Sequence, residues 1–595
     1  MYQLISNSNI ATDDFLDVVL GNRGITDKER FLEPKASDEI HYSNLHNMDK
    51  AVMLFKDIES YGKREMGKVR MVLIVDSDID GNTSSAILAS YIEKLFPHIE
   101  LTFLFHKGKQ HGITEDKVNE IIELNNESAI DLLIVADAGT SDYKHQYIIS
   151  EKHCIPILIL DHHEAEKGES EFALVVNNQL SDNYPNKALS GVGIVYKFLQ
   201  ALDDEYGQME SERYLDLVAL GNIADSMDLT SPETRYLVYE GLKDIQNEFL
   251  REIVFKLVGD FDKVYPQTLA FGVIPKMNGI IRVGKDEEKV DLFNAFRGLD
   301  EITMNSRSKK YETLPQKVTR MSINAHKRQK TMREKWITKI QKQIEEKSLN
   351  QNAFLLIELE ESFDRDLSGY LASSLASEYR KPVLMMVWNS KDKAYSGSLR
   401  GFDGTMKDTK DFLEGLELFE YLAGHQNACG FKIKEDSYFL LNDKINTQLE
   451  EKELTGIQKI DVDFFLEDGQ LTLDLIEEVY EYEYLWGKGA SKPLFALEVE
   501  VDTNTINKSA SSSMIKWNHN GVDFVQFTGD KRLLDLMEDG HIVKLTIVGS
   551  LSMNTFLGKT TPQLMIEDMA IGELLTEFTK SEEGWGDELD DLFDW

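Results

Sequence analysis

The stretch VDSDIDGNTSSAI, residues 75–87, sets aspartates at 76, 78 and 80 and follows them with Gly81. Three carboxylates at alternate positions are oxygen ligands for a divalent cation. An EF-hand calcium loop opens the same way, but it needs a bidentate glutamate at its twelfth position, which here is Ile87. Such a loop also follows a helix. Here the ladder follows KVRMVLIV, a short β-branched run that reads as a buried strand, and Thr83 to Leu95 has helical spacing. Strand, carboxylate turn and helix make an α/β unit with ligands at the carboxyl end of a strand. A ladder standing alone would be a solvated acidic turn.

Three further segments repeat the arrangement. AIDLLIVADAGTSD is an apolar strand ending in Asp137 and a glycine-bearing turn. IPILILDHHEAE ends in Asp161-His162-His163, and LDLVALGNIADSMDL places Asp225 after an apolar run. In a parallel sheet such ends gather on one edge. Carboxylates with imidazoles suit Mn²⁺ or Mg²⁺, and the imidazole tilts the choice toward manganese. Clustered carboxylates repel one another unless cations neutralise them. The ligands oversupply one ion, so two ions sharing a bridging aspartate are expected. Two ions about 3.5–4 Å apart are the usual apparatus of phosphoester hydrolysis.

With these motifs the chain resembles the DHH phosphoesterase superfamily and, within it, the RecJ-like single-strand DNA exonucleases. VLGNRGITDKERFLEP is similar to the family's lead, and DSDIDGNTS, VADAG and DHH resemble its first three motifs. LSGVGIVYKFL with LDLVALGNIADSMDL resembles the fourth, IPKMNGIIR the P-x-x-N-x-x-G-R element, and YSGSLRG with AGHQNACGF the DHHA1 half. The resemblance implies that Asp78, Asp80, Asp137, His162 and Asp225 hold two metals, with Asp137 bridging and Asp76 completing the first site. It implies that Asp161 sits behind both imidazoles and fixes their tautomer, and that His163 meets the scissile phosphate. Arg282, Ser398, Arg400 and His425 would grip phosphate, with His106 and Asn278 also at the substrate. Some positions depart from the pattern. LFHKGKQHGI puts His106 where an arginine is usual and His111 where a tyrosine is usual; Ile281 stands where glycine is common, and LWGKGASKP replaces a P-F-G-x-G-N-P-x-P linker.

The elements that must position these residues give an α/β fold class: two α/β domains joined by a long helix, then an OB-like β-barrel. Residues 1–50 read as a helical lead, 51–304 as the DHH catalytic domain and 305–350 as a basic linker helix. Residues 351–475 read as the DHHA1 domain, with FLLIELE and PVLMMVW as buried strands; 476–575 as linker and OB-like domain; 576–595 as an acidic tail. Trp517, Phe524 and Phe527 are candidates for stacking on bases or for core.

The chain has 595 residues, is 42% hydrophobic, and holds only two cysteines, Cys154 and Cys429, so neither a disulfide framework nor a zinc spacing is present. Without an apolar run long enough to span a membrane or a signal segment, no membrane association and a cytoplasmic site, in a bacterium or in the host of a bacteriophage, are expected. The net charge of −39 argues against a nucleic-acid partner, but charge is local. Residues 307–342 carry twelve Lys/Arg against Glu312 and Glu334, about +10. The tail SEEGWGDELDDLFDW alternates acids with apolar anchors and reads as a solubilising end, a docking peptide for a single-strand-binding or other replication or repair protein, or a mimic of DNA.

The expected protein is therefore a monomeric, Mn²⁺- or Mg²⁺-dependent exonuclease of single-stranded DNA, working 5′→3′ to release mononucleotides; that polarity comes from the resemblance. The alternatives are a DHH phosphodiesterase acting on short RNA or cyclic dinucleotides, and an inactive replication scaffold. The linker helix and barrel argue against the first, and the intact ligand set against the second.

Overall fold

The structure, a computed structural model, describes residues 2–577 apart from 65–67, 109, 166, 364, 403–405, 407, 452–458, 468, 510–513, 528–530 and 557–558. The acidic tail expected at 576–595 lies almost wholly outside the described residues. The chain divides into two compact units: Arg23–Trp336 with Tyr484–Lys492, and Met1–Asn22 with Ile337–Glu483 and Pro493–Trp595.

The first unit is built on a five-stranded parallel sheet. Its strands lie in the order Ile99–Phe105, Val69–Val75, Leu132–Ala136, Ile157–Asp161, Leu174–Asn177. Both faces are covered, which is why the strands read as unbroken apolar runs. Along the first-motif strand, Met71, Leu73 and Val75 join one core with the helices Ile79–Leu95 and Gly191–Tyr206. Val72 and Ile74 join a second core with Val118 and Ile121 of the helix Glu115–Glu127. The chain starts in the second position of the sheet and continues on either side of it, so the strand order reverses between Val69–Val75 and Leu132–Ala136. Beyond the carboxyl ends of the strands at such a switch point lies the crevice in which open α/β sheets bind ligands.

One sequence expectation changes here. The helix after the ladder begins at Ile79, not Thr83, because the Asp78 carboxylate caps it by accepting from Gly81 N at 2.8 Å. The apolar run before Asp225 is the helix Leu215–Ala224, with Asp225 at its C-cap.

The helix Ile274–Val283 packs so closely on the long helix Leu314–Glu346 that a Cβ at Gly279 would lie 2.7 Å from His326 N. Within the stretch 305–350 the helix begins at Leu314. The strands Ile302–Met304 and Tyr311–Thr313 form a hairpin ahead of it.

In the second unit, the expected helical lead instead opens with the strand Tyr2–Leu4, paired in parallel with Ile460–Val462. Phe15 follows on the helix Phe15–Asn22, stacked on Phe464 and Phe495. Five strands lie in the order Phe419–His425, Ala428–Lys434, Ala394–Arg400, Val383–Asn389, Leu355–Leu359, with only the last pair parallel. A separate seven-stranded sheet carries the OB-like region. Its longest pairing, His541–Phe556 with Lys559–Glu577, bends at irregularities that include Val548/Gly549. Trp517 and Phe524 stack at 5.3 Å and are buried, so they belong to the core; Phe527 is exposed.

Candidate metal centre

Six carboxylates and three imidazoles converge beyond the strand ends of the first unit. Asp76 follows the strand Val69–Val75, Asp78 caps the next helix and Asp80 lies in its first turn. Gly81 is required because a Cβ there would come within 2.5 Å of Asp76 Cβ. Asp80 is held from the opposite side by the start of the helix Gly191–Tyr206. Ser190 Oγ at 3.0 Å, Gly191 N at 2.7 Å and Val192 N at 3.1 Å all donate to its carboxylate. This gives the LSGVG segment its task.

Asp137 follows the strand Leu132–Ala136 at φ +66°, an unusual conformation for a residue other than glycine, and its N–H donates to Leu160 O at 2.8 Å. Gly191 again makes room: a Cβ there would lie 2.3 Å from Asp137 Oδ1. His162 Nε2 stands 3.2 Å from Asp137 Oδ1, 3.4 Å from Asp225 Oδ2 and 4.0 Å from Asp80 Oδ2. Asp137 Oδ1 and His162 Nε2 are both buried without a hydrogen-bond partner, which is costly unless something else occupies the space between them.

The ligand atoms fall into three overlapping sets, each within 4.8 Å: Asp76, Asp78 and His111; Asp80, His162 and Asp225; Asp137, Asp161, His162 and His163. Burial, then the charges of Asp80 and Asp76, raises Asp78 to about 6; burial, then Asp80 and Asp78, raises Asp225 to about 7. Burial pushes Asp137 well above the carboxylate range, reinforced by Asp80, Asp78 and Asp76. His162 is lowered by burial, which keeps its ring neutral and fit to ligate. Oxygen donors with one neutral imidazole, orphaned atoms and mutual repulsion fit divalent cations.

Asp161 has a different part from the one expected. It is fully buried and accepts from His163 Nδ1 at 2.8 Å, Thr140 N at 3.0 Å and the main-chain N–H groups of both histidines. It therefore orients the ring of His163, while its bond to His162 is to the backbone. Burial is the largest single influence and would raise Asp161, but the hydrogen bond and charge of His163, the hydrogen bond from Thr140 and the charge of His162 together outweigh it and hold the carboxyl low. The same bond raises His163 to about 9, so this half-exposed ring is a cation at neutral pH.

The remaining expected residues are placed as follows. His106, expected at the substrate, has a fully buried ring 3.6 Å from Asp76 Oδ1. Arg282 is exposed and Asn278 half-buried on the helix Ile274–Val283. In the second unit Arg400 and His425 both face Ala428 across adjacent strand pairs, so they share a sheet face. Ser398, two residues before Arg400, bonds Ser368 Oγ at 2.7 Å. His425 lines a cavity of about 600 Å³ with Lys410, Gln426 and Asn427.

Sequence reasoning missed three members. His111 Nδ1 bonds Asp76 Oδ2 at 2.6 Å. Asn177 bonds Thr140 Oγ1 at 3.1 Å and His163 O at 2.8 Å. Ser190 bonds Asp80. The signal for His111 was its place in an otherwise glycine- and lysine-rich loop; Asn177 gave none.

The fold and site define a DHH-type protein: residues 70–222 match the DHH family, N-terminal domain, and residues 462–568 the RecJ OB domain. The chain is 35% identical over 589 residues to YorK of the SPbeta prophage of Bacillus subtilis strain 168, covering 96% of this chain and 98% of that one. It is 24% identical to the single-stranded-DNA-specific exonuclease RecJ of the same bacterium, over 88% of this chain and 64% of that one. RecJ of Thermus thermophilus in complex with Mn²⁺ superposes with a TM-score of 0.66 at 20% identity, covering 94% of this chain and 76% of that one. A second structure of that protein, in complex with Mg²⁺, gives 0.60 at 18% identity, covering 95% of this chain and 75% of that one. The chain belongs to the RecJ-like DHH family.

Proposed function

We propose that this protein is a metal-dependent exonuclease of single-stranded DNA. The observation that carries the reading is the pair Asp137 Oδ1 and His162 Nε2, buried 3.2 Å apart without hydrogen bonds amid mutually repelling carboxylates. In this reading Asp76, Asp78, Asp80, Asp137, His162 and Asp225 would hold two ions, Mn²⁺ or Mg²⁺. When bound, such ions supply the Lewis acidity that phosphodiester hydrolysis needs. The chain's own groups do the rest. Asp161 fixes Nδ1 of the cationic His163, leaving Nε2 to donate to a phosphate oxygen. Arg282, Arg400, Ser398 and His425 hold the strand through its phosphates, arginine by its planar fork.

The single-strand preference, the 5′→3′ polarity and the mononucleotide products are proposed from the family resemblance. RecJ relatives are named as single-stranded-DNA-specific exonucleases, which supports the substrate class. We also propose that the acidic segment 576–595 docks a DNA-processing partner. Among the described residues no helix is long and apolar enough to cross a membrane.

The test is degradation of 5′-labelled and 3′-labelled single strands with Mn²⁺. Early release of the 5′ label as mononucleotide, with duplex resistant, is expected. Intact single strands, or equal attack on duplex, would sink the reading; early loss of the 3′ label would reverse the polarity.

A further inference from the structure

The loop 106–112 brings two imidazoles to one carboxylate. His111 Nδ1 lies 2.6 Å from Asp76 Oδ2, and His106 Nε2 lies 3.6 Å from Asp76 Oδ1, one ring on each oxygen. His106 has no exposed side-chain surface, and neither of its ring nitrogens has a hydrogen-bond partner. A buried polar ring with both nitrogens orphaned is expensive, and its aim at Asp76 gives it a purpose only if that carboxylate is engaged on its far side. His111, by contrast, is more than half exposed, and its ligand atom groups with those of Asp76 and Asp78 within 4.8 Å.

Hydrogen bonds tie down the segment around His111. Ser77 Oγ donates to Gln110 O at 2.6 Å, Gly112 N to Asp76 Oδ1 at 3.1 Å and Ile113 N to Asp142 Oδ2 at 2.6 Å. Gly112 sits at φ +65°, where a Cβ would lie 2.3 Å from Asp142 Oδ2. His111 is therefore flanked on both sides by hydrogen-bonded backbone.

We propose that His111, with Asp76 and Asp78, forms a nitrogen-bearing subsite that takes a divalent transition-metal ion, Mn²⁺ or Co²⁺, in preference to Mg²⁺. His106 is a positioning residue that orients Asp76 from behind. The inference rests on the metal-dependent reading of the centre. Carboxylates alone would suit a hard cation such as Mg²⁺, whereas imidazole suits the later divalent metals. The Asp80, His162 and Asp225 set already has a histidine, so both sets would then carry one. The 2.6 Å contact is now a hydrogen bond, and an ion held by both atoms takes the place of its proton.

The test uses metal-free, full-length protein, titrated separately with Mn²⁺, Co²⁺ and Mg²⁺. Electron paramagnetic resonance follows nitrogen coupling to Mn²⁺, and calorimetry follows affinity. His111→Ala, at a half-exposed position, is expected to fold normally. It should weaken Mn²⁺ and Co²⁺ at one site by about 10–100-fold, leave Mg²⁺ within about 3-fold, and remove one of two imidazole couplings. His106→Gln should weaken all three metals alike while keeping both couplings. Unchanged couplings in His111→Ala, or equal losses of Mn²⁺ and Mg²⁺, would reduce His111 to a hydrogen-bond partner of Asp76 and overturn the inference. If the unaltered protein binds no metal, both the inference and the proposed function fall; if it binds metal but His111→Ala changes nothing, only the inference falls.

Discussion

Two clusters of buried carboxylates sit in the same unit and are handled in opposite ways. Glu233 is almost fully buried and every need is met: Lys197 Nζ lies 2.9 Å away, Tyr184 OH donates to both oxygens at 2.8 Å, Asn186 Nδ2 donates at 2.8 Å and Ile40 N at 2.9 Å. The same Lys197, fully buried, also reaches Glu39 at 2.8 Å. Around Asp76, Asp78, Asp80, Asp137 and Asp225, no Lys or Arg stands within ion-pair distance among the described residues; only histidines do. Burial of acids is thus not the mark of a working site in this protein. What sets the proposed centre apart is that several acids gather with no lysine or arginine among them, so their mutual repulsion calls for a cation; Asp216 is also buried without a protein cation, but it stands alone on main-chain N–H groups.

The sharpest break of this comparison is Lys197→Met. It should destabilise the protein by about 3–5 kcal/mol, since Glu39 and Glu233 lose their counter-ion, with thermal or urea unfolding as the readout. A loss under about 1 kcal/mol would mean that this cluster too tolerates uncompensated charge.

A second way to sharpen the contrast uses the backbone that shapes the centre. Gly191→Ala places a methyl against Asp137 and should weaken metal binding by about 10–100-fold. Gly272→Ala, where a Cβ meets nothing within 4 Å, is the control and should bind as before. Equal binding by both variants would mean that Asp137 is free to move aside.

The sequence is most legible where the chemistry lies in local order. The ladder at 76–80, Asp137, the Asp161-His162-His163 run and Asp225 can be read because each ends an apolar run, and the strand pattern of the parallel sheet follows from burial on both faces. What cannot be read depends on distant partners. The apolar run before Asp225 is compatible with strand or helix, and packing against neighbouring helices decides for helix. The basic stretch looks nearly uncompensated along the chain, yet Glu288 meets Arg328 at 2.8 Å and Asp291 meets Lys317 at 2.8 Å. His111 and Asn177 act through contacts of 35 and 14 residues' separation, which no periodicity encodes.

A smaller effect concerns pH. Asp78 is raised to about 6 in the folded protein, above its ordinary 3.8, so the metal-free fold keeps a proton that the unfolded chain releases. Stability from this group therefore falls as pH rises from about 4 to about 6 and stays low above. Asp78→Asn should be more stable than the unaltered metal-free protein at pH 8, by on the order of 1–2 kcal/mol given its partial exposure, and equal to it near pH 4. An advantage that grows toward low pH would reverse the sign and refute the electrostatic account.

The most direct test of the central claim is a calorimetric Mn²⁺ titration of metal-free protein beside Asp137→Asn, a substitution that tolerates the left-handed backbone at that position. Two ions per chain are expected for the unaltered protein, with a higher melting temperature on loading. Asp137→Asn should melt higher than the unaltered protein when both are metal-free, yet gain little from Mn²⁺. No Mn²⁺ uptake by the unaltered protein, or Mn²⁺ stabilisation undiminished by Asp137→Asn, would contradict the claim that these carboxylates were left unpaired to receive metal.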